Sequence, residues 1–212
     1  MNRLPTWVRQ HIVGLRVLLL FTVICGIVYP LVMTGIAQVA FHKQADGSLV
    51  SSNGRTVGSS LLCQEFVDAK GLPLAQYFQP RPSAAAQAGV KNDYGCNPEY
   101  SAASNLGPTN PVLIQDIKQR QKQIEAFDHV KVSQIPPDAV TASGSGLDPG
   151  ISPQNAAIQV NRVAAARHVS PAAVRALVSQ YTEGRPLGFL GEPQVNVLLL
   201  NIALDQKYPV GH

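Results

Sequence analysis

The sequence predicts a mixed α+β domain, exposed outside the cytoplasm and anchored by one N-terminal transmembrane helix. Three observations predict it: an uncharged apolar run directly behind three arginines, two Ser-Pro dipeptides each heading a stretch of helical apolar spacing, and an Asn-Gly turn between short β-prone runs. The expected organisation is a cytoplasmic N-terminus over 1–16, a transmembrane helix over 17–41 and an extracytoplasmic domain over 42–212.

Residues 17–41, VLLLFTVICGIVYPLVMTGIAQVAF, contain no Lys, Arg, Asp or Glu. As a helix the run reaches roughly 37 Å, enough to cross a hydrocarbon core of about 30 Å with some tilt. Pro30 falls in its second half, where it removes one backbone hydrogen bond and predicts a kink, a fault membranes tolerate when a neighbouring helix repairs it. A cleaved signal peptide is the competing reading, since Gly35-Ile36-Ala37 offers small residues, but the run far exceeds a signal core of about 7 to 15 residues. Arg3, Arg9 and Arg16 precede the span whereas Lys43 and Asp46 cancel after it, which places the N-terminus in the cytoplasm.

The net charge of +4 belongs to those three arginines: removing them from 17 Lys and Arg leaves 14 against 13 Asp and Glu. That near-neutral remainder is too weak an electrostatic footprint for nucleic acid. It decides the reading of NRVAAARHVSPAAVRALV, residues 161–178, which has the look of a DNA-binding helix-turn-helix. Two amphipathic helices packed on a core explain the same pattern, on the side of the membrane where no DNA lies.

Next in order, SLVSSNGRTV (48–57) predicts a hairpin around Asn53-Gly54, a dipeptide that accepts positive φ. AQYFQPRPSAAA (75–86) predicts a short strand running into a proline-stiffened segment that presents Arg81 on an extended backbone. Residues 87–110 are rich in Gly, Asn, Pro and Ser and read as a long functional loop. A helix follows over 112–127, with Leu113, Ile117, Ile124 and Phe127 near one face. Residues 133–150 read as a linker or surface loop. Ser152-Pro153 and Ser170-Pro171 then open two helices, Ser at the N-cap and Pro at the first turn. The first is expected to bury Ala156, Val160, Val163 and Ala164 and the second Val174, Leu177 and Val178, with a turn at His168 between them. VNVLLLNIAL (195–204) keeps helical spacing at Val195, Leu198, Leu199 and Ile202, although its first three residues also suit a strand. Asn196 and Asn201 within it are expected to be buried and to satisfy backbone groups.

Motifs for chemistry are missing: there is no phosphate-binding GxxxxGK[ST], HExxH, GxSxG or CxxC. The histidines at 11, 42, 129, 168 and 212 lack metal-ligand spacing, so neither a catalytic nor a metal assignment is made. Cys25 lies in the span, while Cys63 and Cys96 fall in the exported part, where an oxidising compartment permits a bridge. A Cys63–Cys96 disulfide and two free buried thiols both stay open.

Six stretches in this order, VYPLVMTG (28–35), GSSLLCQEF (58–66), YFQPRPSA (77–84), SNLGPTNP (104–111), SGLDPGISPQNAAIQVNRVAAAR (145–167) and VNVLLLNIALD (195–205), resemble the KdpC family. This is the C subunit family of the bacterial high-affinity potassium-transporting Kdp ATPase. The resemblance implies an accessory subunit of a heterotetramer, partnered by a channel-like potassium-translocating subunit, a P-type ATP-hydrolysing subunit and a small single-span subunit. It also implies a catalytic chaperone that raises the ATP affinity of the hydrolysing subunit. ATP and K+ would be handled by the complex, without a cofactor bound by this chain. The chain lacks a DKTGT-type phosphorylation sequence, so no active site of its own is expected.

ATP is cytoplasmic and the topology leaves only 1–16 on that side, so an effect carried through the span, or a role where potassium enters, fits better than direct nucleotide binding. Cys63 stands where the family has Gly, Ala102-Ala103 replace a Gly pair and Asn161 replaces a Pro. The residues displayed by constrained backbone, Arg81, Ser104, Asn105, Asn110 and Arg162, are the candidates for partner or ligand contact. Pairing with an acidic group inside the domain competes for Arg81, as turn capping does for Asn105. The alternative class is a stand-alone membrane-anchored envelope binding or sensor protein.

Overall fold

The computed structural model describes residues 5–210, which divide into two compact units, one ending at Leu49 and the other starting at Val50. Arg3 and His212 lie outside the described residues. In the first unit α1 (Thr6–Val23), a π-helical turn (Ile24–Val28) and α2 (Tyr29–Ala40) run on as one apolar helix of 35 residues, Thr6–Ala40. At 1.5 Å per residue it is roughly 52 Å long. It starts well before the predicted boundary because nothing in 6–16 breaks a helix, and Pro5 at the N-cap position holds φ at −53° where the chain enters. Such a helix is long and apolar enough to serve as a single-pass membrane anchor.

Just ahead of Pro30, where the sequence predicts a kink, the helix widens into the π-helical turn. Pro30 has no N–H for the carbonyl four residues back, and a wider turn is one way a helix absorbs that loss. A short helix α3 (His42–Ala45) follows, with Gln38 Nε2 donating to Asp46 at 2.9 Å.

The hairpin forms as predicted: β1 (Leu49–Ser52) and β2 (Arg55–Ser59) flank Asn53 and Gly54, whose φ values of 51° and 77° make the tight turn. Beyond it the chain runs without regular structure to Asn110, whose side chain caps α4 (Pro111–Asp128) by accepting from Val112 N at 2.9 Å. The face of α4 predicted to be apolar is half-buried at Leu113, Ile117, Ile124 and Phe127.

The stretch 133–150 is more than a surface linker. It carries α5 (Pro137–Val140), with Ala139 and Val140 buried, and then β3 (Gly150–Ile151). The Asp138 carboxylate accepts from Ser152 N and Oγ, both at 2.8 Å, and from Asn155 Nδ2 at 3.0 Å, so the segment ties down the helix that follows.

That helix, α6 (Pro153–Ala166), and α7 (Pro171–Gln180) are both capped by their serines, Ser152 Oγ accepting from Asn155 N and Ser170 Oγ from Ala173 N. All seven residues predicted for their buried faces are buried, and His168 turns the chain at φ 54°. Two short strands follow, β4 (Thr182–Glu183) and β5 (Gln194–Asn196), then α8 (Val197–Lys207). The sheet order is β3-β5-β4, antiparallel, with Val195 opposite both Ile151 and Thr182.

Val-Asn-Val is therefore part strand and part helix start. Burial on α8 reaches further round than the predicted stripe: Val197, Leu198, Leu200, Asn201, Ala203 and Leu204 are buried, while Leu199 and Ile202 are half-buried. One core unites α6, α7, α8 and β5 around Val160, Val163, Val174, Val195, Leu200 and Leu204. Each such side chain contributes about 1.5 to 3 kcal/mol on burial.

Candidate functional site

The strand expected from residue 75 is absent, and the reason lies in its neighbours. Residues 75–77 make a turn, with Tyr77 N donating to Leu74 O at 3.2 Å, and 78–82 carry no regular structure, the backbone of Phe78 and Gln79 bonding to side chains rather than to another strand. Phe78, fully buried, receives a hydrogen bond from Asn201 at its carbonyl (2.9 Å) and donates its N–H to the same amide (2.9 Å). Gln159 treats Gln79 likewise, accepting from its N–H at 2.7 Å and donating to its carbonyl at 3.2 Å. Two carboxamides, from α8 and α6, thus copy the pairing an adjacent strand would give, which is why the buried backbone carries no unmet donor there.

Arg162 completes the clamp. Its Nη1 donates to the carbonyls of Ala75 (2.7 Å) and Tyr77 (2.8 Å), Nη2 to Gln159 Oε1 (2.8 Å), and Nε to Asp128 (2.7 Å), while the guanidinium lies 4.3 Å from the Phe127 ring centre. Both ion-pair side chains are 5% exposed, so Arg162 is not displayed as the sequence suggested but is a tie inside the domain. Burial is the largest influence on each partner, pushing the Asp128 carboxyl up and the Arg162 guanidinium down, and each charge opposes the shift of the other. One helical turn on, Arg167 Nε donates to Gln76 O at 2.7 Å and Nη2 pairs with Asp205 at 2.8 Å.

Residues 79–82 line a cleft of about 620 Å³ together with α4, α6 and residues 65–73, its walls including Glu65, Arg81, Arg120, Phe127, Asp128 and Gln159. Arg81 Nη1 pairs with Asp148 at 3.0 Å and its Nη2 reaches Thr141 O at 3.5 Å, while Arg120 Nη1 donates to Val140 O at 2.9 Å. Two guanidiniums of the cleft thus reach the successive carbonyls of Val140 and Thr141. Arg81 Nε is buried without a partner.

Glu65, on the cleft wall, has its carboxyl pushed up to about 7 by burial. It sits against the following loop: a side chain on Gly95, whose φ is 145°, would come within 2.7 Å of Glu65 Oε1. The cleft therefore offers cationic donors, an apolar wall and one carboxyl that gains or loses its proton near neutrality. Among the described residues no cluster of His, Cys, Asp or Glu has the makings of a metal site.

The loop 87–110 meets this edge through the Cys63–Cys96 disulfide, with an S–S distance of 2.02 Å. Ser83 Oγ accepts from Ala85 N (3.0 Å) and Cys96 N (2.9 Å) and donates to Gly146 O (2.7 Å). Ser104 and Asn105 are exposed, Asn105 in the left-handed conformation at φ 52°. The structure thus brings Arg81 to the cleft, turns Arg162 inward, uses Asn110 as a helix cap and leaves Ser104 and Asn105 on the open loop. Glu65, Arg120, Asp128 and Gln159 escaped the sequence reading. Only Gln159 had a signal, three residues before Arg162 on the same face of α6.

Comparison with known proteins matches residues 11–206 to the family described as KdpC: K+-transporting ATPase, c chain. The potassium-transporting ATPase KdpC subunit of Dechloromonas aromatica (strain RCB) is 52% identical over 186 residues, 88% of this chain and 91% of that protein. That of Sorangium cellulosum (strain So ce56) is 52% identical over 192 residues, 91% of this chain and 95% of the relative. That of Geobacter sulfurreducens is 47% identical over 197 residues, covering 92% and 97%.

Proposed function

Since the chain belongs to the KdpC family of K+-transporting ATPase c chains, we propose that it serves as the single-span accessory subunit of an ATP-driven potassium uptake complex. The observation that carries this reading is the family match over 11–206, which includes both the apolar helix and the folded unit. The proposed partners are a channel-like potassium-translocating subunit, a P-type ATP-hydrolysing subunit and a small single-span subunit, together a heterotetramer in the bacterial inner membrane. The chain would stabilise that assembly and act as a catalytic chaperone that raises ATP affinity, holding no active site of its own.

Arg9 and Arg16 at the start of the helix favour a cytoplasmic N-terminus and a periplasmic folded unit. On that topology nucleotide and folded unit lie on opposite sides of the bilayer, so the influence on ATP affinity travels through the span. Its π-helical turn before Pro30 supplies a place where the helix can change register.

The test is gentle detergent extraction through a C-terminal tag, followed by mass spectrometry of what co-purifies. Recovery of a large P-type ATPase and a polytopic channel-like protein is expected, and recovery of the chain alone overturns the reading. In the purified complex, stripping out this chain should raise the KM for ATP, and an unchanged KM removes the chaperone role. A periplasm-active reporter at the C-terminus that stayed inactive would reverse the topology.

A further inference from the structure

Strands β4 and β5 are neighbours in the sheet, Glu183 opposite Gln194, and a hairpin of that kind closes with about two to five residues. Here the chain makes a longer excursion, GRPLGFLGEP over 184–193, and buries none of its large apolar side chains. Leu187, Phe189 and Leu190 are 82%, 70% and 47% exposed. Such a contiguous apolar group on a folded unit marks a surface that something else covers.

The excursion is built to hold its shape. Gly188 N donates to Arg185 O at 2.9 Å and Leu190 N to Pro186 O at 3.1 Å, and an Arg185–Glu192 ion pair at 2.7 Å closes its base. Leu187 sits at φ 54°, ψ 14°, a left-handed conformation that costs a non-glycine residue about 1 kcal/mol or more. The tip is thus a preset knob, and presetting lowers the ordering cost of docking.

The charge around the tip tells what covers it. Segments that enter a lipid surface pair apolar tips with free Lys or Arg and with interfacial Trp or Tyr. Residues 184–193 contain no Lys, Trp or Tyr, and the one base, Arg185, is neutralised by Glu192. A rigid aromatic and aliphatic tip on a turn without net charge suits a desolvated protein pocket instead.

We propose that the 184–193 turn is a docking element whose Leu187 and Phe189 enter an apolar, uncharged recess on another protein subunit of the complex. This rests on the accessory-subunit reading above. The experiment uses the full complex in detergent with Phe189 replaced by photoreactive p-benzoylphenylalanine, irradiated and analysed by mass spectrometry. A covalent adduct between position 189 and a second subunit is expected. Adducts with lipid or detergent alone, or none in complexes that still contain the chain, overturn the docking element while leaving subunit membership intact. A wild-type chain that brings down no other subunit overturns both.

Leu187→Ala combined with Phe189→Ala should leave the thermal midpoint of the isolated full-length chain unchanged and speed its loss from the washed complex by about tenfold or more. Equal retention of variant and wild type overturns the proposal. Should the double variant misfold, Phe189→Ser alone, at a side chain 70% exposed, makes the same comparison.

Discussion

Residues 75–82 and 87–110 both contain prolines and neither forms a helix or a strand, yet the chain holds them in opposite ways. The first is locked from behind by Arg162, Gln159 and Asn201, with Phe78 fully buried between them. The second contributes only Cys96 to the buried set and is held at its edges, by one disulfide, local turns and scattered hydrogen bonds such as Cys96 N to Ser83 Oγ and Ala102 N to Ser145 O. The difference teaches that a segment without regular hydrogen bonding can be as much part of the core as a strand, provided helices supply side chains to replace the missing ladder.

The sharpest way to break the contrast is at Arg162. Arg162→Met removes the donors for Ala75, Tyr77 and Gln159 and leaves the Asp128 carboxyl buried alone, so the folded unit should lose about 3 to 5 kcal/mol. Urea unfolding of the full-length chain in detergent reads this as a lower midpoint. Asp128→Asn combined with Arg162→Met should recover part of the loss, because the stranded charge is then gone. A single variant as stable as wild type would show that the clamp does not hold the segment.

Opening the second region should cost less and stay local. Cys63→Ser with Cys96→Ser frees a closed loop of sequence separation 33, about 3 to 4 kcal/mol in the chain-entropy model. Hydrogen exchange should rise through 87–100 while the amides of Phe78 and Gln79 stay protected, since their partners are on α6 and α8. Equal loss of protection in both stretches would mean that disulfide and clamp are one cooperative unit.

How much of this was legible in the sequence follows from the same contrast. Features specified over a few residues could be read: the apolar helix, the Asn53-Gly54 turn, and the Ser-Pro caps with their buried faces. Features made by pairing distant residues could not. Asn201 meets Phe78 across a separation of 123 residues and Arg162 meets Tyr77 across 85, and nothing near Ala75 announces that its strand partner is a side chain. The same holds for Val195, whose place opposite Ile151 and Thr182 makes its tripeptide a strand before the helix. Of the site, Arg81 was visible from its two flanking prolines, whereas Glu65 was invisible because its proton affinity is set by what covers it.

Glu65 lies where the two regions meet, lining the cleft beside Arg81 and touching the space at Gly95, and its titration can measure how closely they cover it. With a carboxyl near 7 in the folded chain against 4.5 when exposed, the native state binds more protons between those values. Stability should therefore fall as pH rises from about 4.5 to about 7 and level off above, by up to about 3 kcal/mol from this group. Glu65→Gln keeps the shape and removes the proton, so the wild-type minus variant difference should be largest and least favourable to wild type at pH 8 and should shrink on acidification. Parallel curves from pH 4.5 to 8 would mean that water reaches the carboxyl freely. Repeating the pair in the Cys63→Ser, Cys96→Ser background separates the two covers. If the disulfide-held loop supplies the burial the pH dependence collapses there, and if the clamped segment does, it survives.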